Sequence, residues 1–263
     1  GVQAGGVGTT VKHFVANDSE FERTTISSEI DERTLREVSM RPFQMAVTEG
    51  GAWGVMASYN RVNGTYAAEN RWMLDTVLRG EWSFDGIVVS DWFGTRSTGP
   101  SATAGLDLEM PGPPRWYGER LVEAVEAGEV PELVVDRAAR RLLLLAERTR
   151  AFEEPHLREE EELNEPAHRL LARRAAAEAM VLLKNDQLLP LEVDRLTNLA
   201  VIGPNAAAAI IMGGGSSALV AQHETSPLEA LVDRLGERLE IRYEPGVATD
   251  RSAQPVGGRT TER

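Results

Sequence analysis

Phe84-Asp85-Gly86-Ile87-Val88-Val89-Ser90-Asp91-Trp92-Phe93 is the stretch whose reading decides the fold. Ile87, Val88 and Val89 form a β-branched run between Gly86 and Gly94, the pattern of a strand buried on both faces of a parallel sheet. The run stops at a carboxylate. An acid at the C-terminal end of a parallel strand costs desolvation energy unless it opens into a cleft, and in α/β barrels that rim is where catalytic groups sit. Asp91 is therefore the first candidate functional residue, with capping of the following turn as its structural alternative.

Upstream, residues 7–15 read as a strand running into the loop signal Ala16-Asn17-Asp18, and residues 53–58 as a second strand ending in Tyr59-Asn60. Between them Asp31 is a predicted helix N-cap. Leu35, Val38, Phe43, Ala46 and Val47 follow at helical spacing up to Gly50-Gly51, with a kink or restart at Pro42. Asn70 is predicted to cap a helix through Arg79. Beyond Asp91 a short helical segment ends at Ala104-Gly105, and residues 106–110 read as a fourth strand closed by Pro111-Gly112-Pro113-Pro114. Helices are predicted over 115–127 and 131–150. Strand then helix, four times over, predicts a parallel sheet with right-handed crossovers.

Composition changes at 151–165, where Glu153, Glu154, Glu159, Glu160, Glu161 and Glu162 mark an acidic linker. Beyond it the sequence predicts a helix over 167–179, strands over 180–184 and 199–203, a helix over 227–235 and a strand over 241–243. This reads as the start of a second α/β domain, 166–247, followed by a linker or disordered end at 248–263. Gly213-Gly214-Gly215-Ser216-Ser217 has neither the Lys-Ser/Thr of a nucleotide loop nor dinucleotide-binding glycine spacing, and reads as a flexible loop.

With 41 acidic against 28 basic residues the net charge is −13, which disfavours nucleic acid and anionic membranes as partners and fits a neutral or cationic ligand. Apolar runs such as 142–146 are far too short to cross a bilayer. The absence of cysteine excludes disulfide and thiolate chemistry, and the four histidines include no ligand-spaced pair, so neither a metal nor any other cofactor is expected. The chain opens on Gly1 without an initiator Met or a leader, which reads as a piece of a longer protein and leaves its compartment unknown.

Three consecutive predicted strands end in Lys12-His13, Ser58-Tyr59-Asn60 and Ser90-Asp91-Trp92. Strands of a parallel barrel end on one rim, so these groups would converge on one pocket. A carboxylate, a cation, an imidazole, a phenol and an indole together suit a sugar. They provide hydrogen-bonding groups for hydroxyls, an aromatic face for the apolar side of the ring, and a carboxylate near the anomeric carbon. Lys12 is expected to hold Asp91 ionised by direct Coulomb attraction.

These residues carry a resemblance. Lys12-His13-Phe14-Val15-Ala16-Asn17-Asp18, with Glu20 and Arg23 beyond it, is similar to the signature of glycoside hydrolase family 3, the β-glucosidase family. Asp31-Glu32-Arg33-Thr34-Leu35-Arg36-Glu37, Val55-Met56-Ala57-Ser58-Tyr59-Asn60, the Phe84–Trp92 stretch and Ala104-Gly105-Leu106-Asp107-Leu108-Glu109-Met110-Pro111-Gly112 resemble it too. So do Val181-Leu182-Leu183-Lys184-Asn185, Leu189-Pro190-Leu191 and Val201-Ile202-Gly203-Pro204-Asn205.

The resemblance implies an α/β fold: the C-terminal half of a TIM-type (β/α)8 barrel over 1–150, then the start of an α/β sandwich domain. It implies that Asp91 is the nucleophile of a retaining hydrolysis, that Lys12 and His13 bind sugar hydroxyls, that Tyr59 and Met56 line the cleaved subsite, and that Trp92 borders the neighbouring one. Met56 as simple core packing is the alternative, and Glu20 with Arg23 is expected to be a structural ion pair. The implied ligand is a small-molecule or oligosaccharide β-glycoside. The general acid/base matches no residue of this chain, since neither Glu224 nor Glu244 stands in a resembling context. The remainder of a parent chain is expected to complete the barrel and supply that group, leaving this piece inactive alone. The rival readings are an N-acetylglucosaminidase, a β-xylosidase, a phosphorylase, and a non-catalytic sugar-binding or scaffolding remnant.

Overall fold

Gly86 has no room for a side chain, because a Cβ there would overlap the Trp53 carbonyl oxygen. Ile87 can therefore bring its N–H to that oxygen at 3.1 Å, and the strand Ile87–Ser90 starts in register with its neighbour, all four of its residues buried. In this computed structural model, which describes residues 1–156, 163–213 and 217–247, the chain divides into two units, Gly1–Arg158 and Glu159–Arg263.

The first unit is built on a parallel sheet of β1 (Thr10–Phe14), β2 (Gly54–Ala57) and β3 (Ile87–Ser90), in that spatial order. Val55, Ala57, Val88 and Phe14 turn one face toward the helices, where they pack with Leu35, Met40, Met73, Leu74, Val77 and Leu78. Phe14 meets Phe43 and Trp82 edge-on, at centroid distances of 5.1 and 5.9 Å. Met56, Ile87 and Val89 are buried but lie outside that cluster, as alternation along a strand requires. The β1–β2 ladder pairs Val11 with Val55 and then Phe14 with Ala57, so Lys12 and His13 sit in a bulge opposite a single residue.

The expected fourth strand at 106–110 is not formed. It touches β3 through one parallel bridge, Val89 with Leu108. The cause is Asp107, whose carboxylate takes the Val88 N–H at 2.8 Å and so displaces the ladder bond that would sit there.

The helices also differ from expectation at points with clear causes. After the Asp31 cap, whose carboxylate accepts the Thr34 N–H at 3.0 Å, the helix opens into a wide turn over Leu35–Ser39 and restarts as α1 (Arg41–Thr48), with Pro42 in its first turn. Asn70 caps α2 (Trp72–Glu81), which carries i→i+5 bonding, through the Met73 N–H at 3.1 Å. After α3 (Gly99–Ala104), the helix expected from 115 begins only at α4 (Glu119–Glu126), because buried Glu109 takes the N–H groups of Arg115, Trp116 and Tyr117. Then follows α5 (Glu132–Arg148).

In the second unit α6 spans Pro166–Ala179, and β4 (Asn198–Ile202) pairs in parallel with β5 (Glu240–Glu244). The intervening α7 (Pro227–Leu235) starts with a reciprocal cap. Ser226 Oγ accepts the Glu229 N–H at 3.1 Å and Glu229 accepts the Ser226 N–H at 2.7 Å. The strand expected over 180–184 is absent: Met180, Val181, Leu182 and Leu183 are exposed, and no described strand pairs with them. Strand propensity without a neighbour to pair with does not make a strand. Most of the acidic run, 157–162, the glycines 214–215 and the 248–263 end lie outside the described residues.

Candidate active site

At the C-terminal end of β3 the Asp91 N–H still reaches across to the Ala57 carbonyl at 3.2 Å, and the Asp91 carbonyl accepts Gly94 N–H at 2.8 Å in a tight turn. The carboxylate is thereby fixed at the rim, and it is 8% exposed. Its Oδ1 accepts the Tyr59 phenol at 3.0 Å and the Trp92 backbone N–H at 2.7 Å. Its Oδ2 faces His13 Nε2 at 3.1 Å. A carboxylate has about four lone-pair sites; with three occupied, one on Oδ2 is left for another partner.

The two side-chain donors are tuned to stay donors. Burial, then the hydrogen bond to Asp91 and its charge, push the Tyr59 phenol up to about 12. His13 is held below its usual value chiefly by burial, opposed by Asp91 and reinforced by the nearby charges of Lys12 and Arg23. A neutral imidazole can bond the carboxylate only with its proton on Nε2. A histidine whose folded-state pKa is depressed binds fewer protons folded than unfolded. Stability is therefore expected to fall as pH drops through about 6.5 toward the folded value. Thermal unfolding of the protein and of His13→Gln between about pH 7.5 and pH 5 checks this. The wild type should lose more Tm on acidification than the variant, and parallel curves would remove His13 as the source.

His13, Tyr59, Asp91 and Trp92 are thus brought together from three strand ends. Trp92 gives its backbone N–H to the carboxylate while its side chain stays 45% exposed at the rim. Met56 is buried in β2, level with Val89. Lys12 is exposed and forms no ion pair with Asp91 among the described residues, and its charge acts on His13. The bulge brings His13, and not Lys12, into hydrogen-bond reach of Asp91.

Ser58 and Asn60 do not face the carboxylate. Ser58 Oγ donates to the Val15 carbonyl at 3.1 Å, and Asn60 Nδ2 to the carbonyls of Val15 and Ala16 at 3.2 and 3.1 Å, pinning the end of β1 to β2. Glu20 and Arg23 pair at 2.7 Å, and the Arg23 guanidinium lies 4.9 Å from the Tyr59 ring centroid. That cation–aromatic contact with Tyr59 left no mark in residue spacing. Among the described residues no group of three or more His, Cys, Asp and Glu could hold a metal ion, and no helix is long and apolar enough to cross a membrane.

A parallel α/β unit holding a hydrogen-bonded carboxylate at the C-terminal ends of its strands places the chain among α/β proteins with a rim site. Residues 1–145 match the glycosyl hydrolase family 3 N terminal domain, and residues 180–257 the glycosyl hydrolase family 3 C-terminal domain. The chain belongs to glycosyl hydrolase family 3. It is 51% identical over 261 residues to a beta-glucosidase of Rhizobium radiobacter, covering 99% of this chain and 32% of that protein. Beta-glucosidase B of Emericella nidulans is 43% identical over 95% of this chain and 30% of its own length. Among solved structures, a beta-glucosidase from Kluyveromyces marxianus in complex with glucose superposes with TM-score 0.83 at 35% identity, over 92% of this chain and 30% of that one. The chain thus spans about a third of the length of the curated relatives it matches.

Proposed function

We propose that the chain is the part of a retaining β-glycosidase, β-glucosidase-like in specificity, that carries the nucleophile. Residues 1–150 form the second half of a (β/α)8 barrel in this reading, 151–165 a linker, 166–247 the start of an α/β sandwich, and 248–263 a linker. The strand order β1-β2-β3 continuing to Leu108 supports it, as do the two family matches.

The observation that carries the chemistry is Asp91, ordered by His13, Tyr59 and the Trp92 N–H with one Oδ2 lone pair unused. Asp91 Oδ2 attacks the anomeric carbon, a glycosyl ester forms, and the glycosidic C–O bond breaks with the electron pair leaving on the aglycone oxygen. A general acid outside the residues assigned here protonates that oxygen. The same group then takes a proton from water, the water attacks the anomeric carbon, and the ester bond breaks to release a β-configured sugar and the Asp91 carboxylate. Lys12 and His13 bind sugar hydroxyls, Tyr59 and Met56 line the subsite, and Trp92 borders the next one. The rest of the longer protein completes the barrel and brings the acid/base, so the chain by itself does not turn over. The substrate is a β-glycoside, in line with the glucose held by the Kluyveromyces marxianus enzyme.

The test is mass spectrometry of the protein, expressed from the full reading frame that encodes this chain, after reaction with 2,4-dinitrophenyl 2-deoxy-2-fluoro-β-D-glucoside. A glycosyl adduct on the peptide holding Asp91 is expected. An adduct elsewhere, or none from a protein that hydrolyses β-glucosides, overturns the assignment.

A further inference from the structure

The residues flanking Asp91 are both tied to Met110. Ser90, wholly buried, exchanges two bonds with it: Ser90 Oγ accepts the Met110 N–H at 2.9 Å and donates to the Met110 carbonyl at 3.3 Å. Phe93, at φ +62 in a conformation uncommon for a bulky side chain, gives its N–H to the same carbonyl at 2.9 Å. Next to Met110 stands buried Glu109. Its Oε1 accepts the N–H groups of Arg115 and Trp116 at 3.0 and 3.2 Å, and its Oε2 those of Trp116 and Tyr117 at 3.0 and 2.7 Å. Thr98 Oγ1 donates to the Trp116 carbonyl at 2.6 Å, and the Arg115 guanidinium returns to Phe93, 4.2 Å from its ring centroid. These contacts close a circuit from the turn at Asp91 through Met110 and Glu109 to residues 115–117 and back to Phe93.

The circuit depends on the Glu109 carboxylate. Pro111, Pro113 and Pro114 have no N–H to give, so the stretch 111–114 has little backbone hydrogen bonding with which to brace itself. A carboxylate offers two oxygens and no donor, which suits three successive N–H groups. An amide of the same shape offers one oxygen and sets an NH2 against the remaining N–H groups. The Asp91 carboxylate is ordered by different groups, His13, Tyr59 and the Trp92 N–H. Placement of the 111–117 loop and ordering of the nucleophile are therefore separable.

We infer that Glu109 is a positioning residue for the leaving-group side of the site. Through the N–H groups of residues 115–117 it holds this loop against Phe93, beside the Trp92 that borders the aglycone subsite. Alignment of a bound aglycone is set by that wall, whereas hydrolysis of the glycosyl ester, with the aglycone gone, needs only water there. Glu109 thus governs the first displacement more than the second. This rests on the β-glycosidase reading above and deepens it.

Glu109→Gln tests it in the protein expressed from its full reading frame. With 2,4-dinitrophenyl β-D-glucoside, whose leaving group departs readily, kcat reads hydrolysis of the ester; with phenyl β-D-glucoside, kcat/KM reads the displacement while the aglycone is in place. The ratio of the phenyl value to the dinitrophenyl value is expected to fall about tenfold in Glu109→Gln. It is expected to fall severalfold in Thr98→Val, which removes the donor to the Trp116 carbonyl. Both values are read on one preparation, so a loss of folded protein cancels from the ratio. An unchanged ratio in Glu109→Gln, whether neither value falls or both fall together, overturns the inference and leaves the glycosidase reading standing. Where Glu109→Gln does not fold, an unchanged ratio in Thr98→Val overturns it in the same way. Failure of the wild type to hydrolyse any aryl β-glucoside overturns that reading and the inference with it.

Discussion

In the protein expressed from its full reading frame, Asp91→Asn is expected to lower kcat on aryl β-glucosides by about 10³-fold or more, because the amide retains the shape of the carboxylate but lacks a nucleophilic oxygen. The hydrogen bond from the Trp92 N–H can persist on the amide oxygen, so far-UV circular dichroism and Tm should change little beside the loss of rate. Asp91→Gly adds a sharper readout. With the side chain gone, azide can occupy the vacated space and attack the anomeric carbon of an activated β-glucoside directly, displacing the phenolate. One displacement in place of two inverts the configuration, so the product should be the α-glucosyl azide. Near-wild-type turnover in Asp91→Asn, or a β-azide from Asp91→Gly, would show that the nucleophile lies elsewhere.

The second large effect is on stability. Asp107 is almost wholly buried, and its Oδ2 accepts Arg79 Nη2 at 2.6 Å and the Val88 N–H at 2.8 Å, while Oδ1 accepts Arg141 Nη1 at 2.8 Å. Burial pushes the Asp107 carboxyl up and the Arg79 guanidinium down, and each opposes the other's shift. Asp107→Ala would strand the Arg79 charge in the interior with an unpaired backbone N–H beside it. The expected cost is about 3–5 kcal/mol, read as a shift of the urea midpoint for the first unit. Removing both charges in Asp107→Ala/Arg79→Met should recover much of that loss, since a buried pair replaced by apolar groups is often near neutral. A single-variant loss below about 0.5 kcal/mol, within the range of ordinary surface changes, would show that the pair is not the link between β3 and its helices.

Much of the architecture was legible because buried parallel strands announce themselves as short β-branched runs. Ile87–Ser90 and Gly54–Ala57 lie within the predicted runs. The meeting of His13, Tyr59 and Asp91 was legible for a geometric reason, since parallel strands end on one rim. What escaped was decided by single carboxylates that take backbone N–H groups. Asp107 displaces the ladder at 106–110, and Glu109 delays the helix after 115, yet an acid in a loop gives no sign of which N–H it will accept. The choice of His13 over Lys12 as the partner of Asp91 escaped for another reason, because alternation along an ideal strand cannot foresee a bulge.

That bulge ties function to a count. Between Val11 and Phe14 the chain spends three steps where its neighbour spends two. A deletion of one residue there would give a more regular sheet and, at the same time, move the imidazole out of reach of Asp91. Spacing in this segment is thus as much a part of the site as chemistry is, and an alignment that scored only identities while allowing a free gap here would mistake a broken site for an intact one.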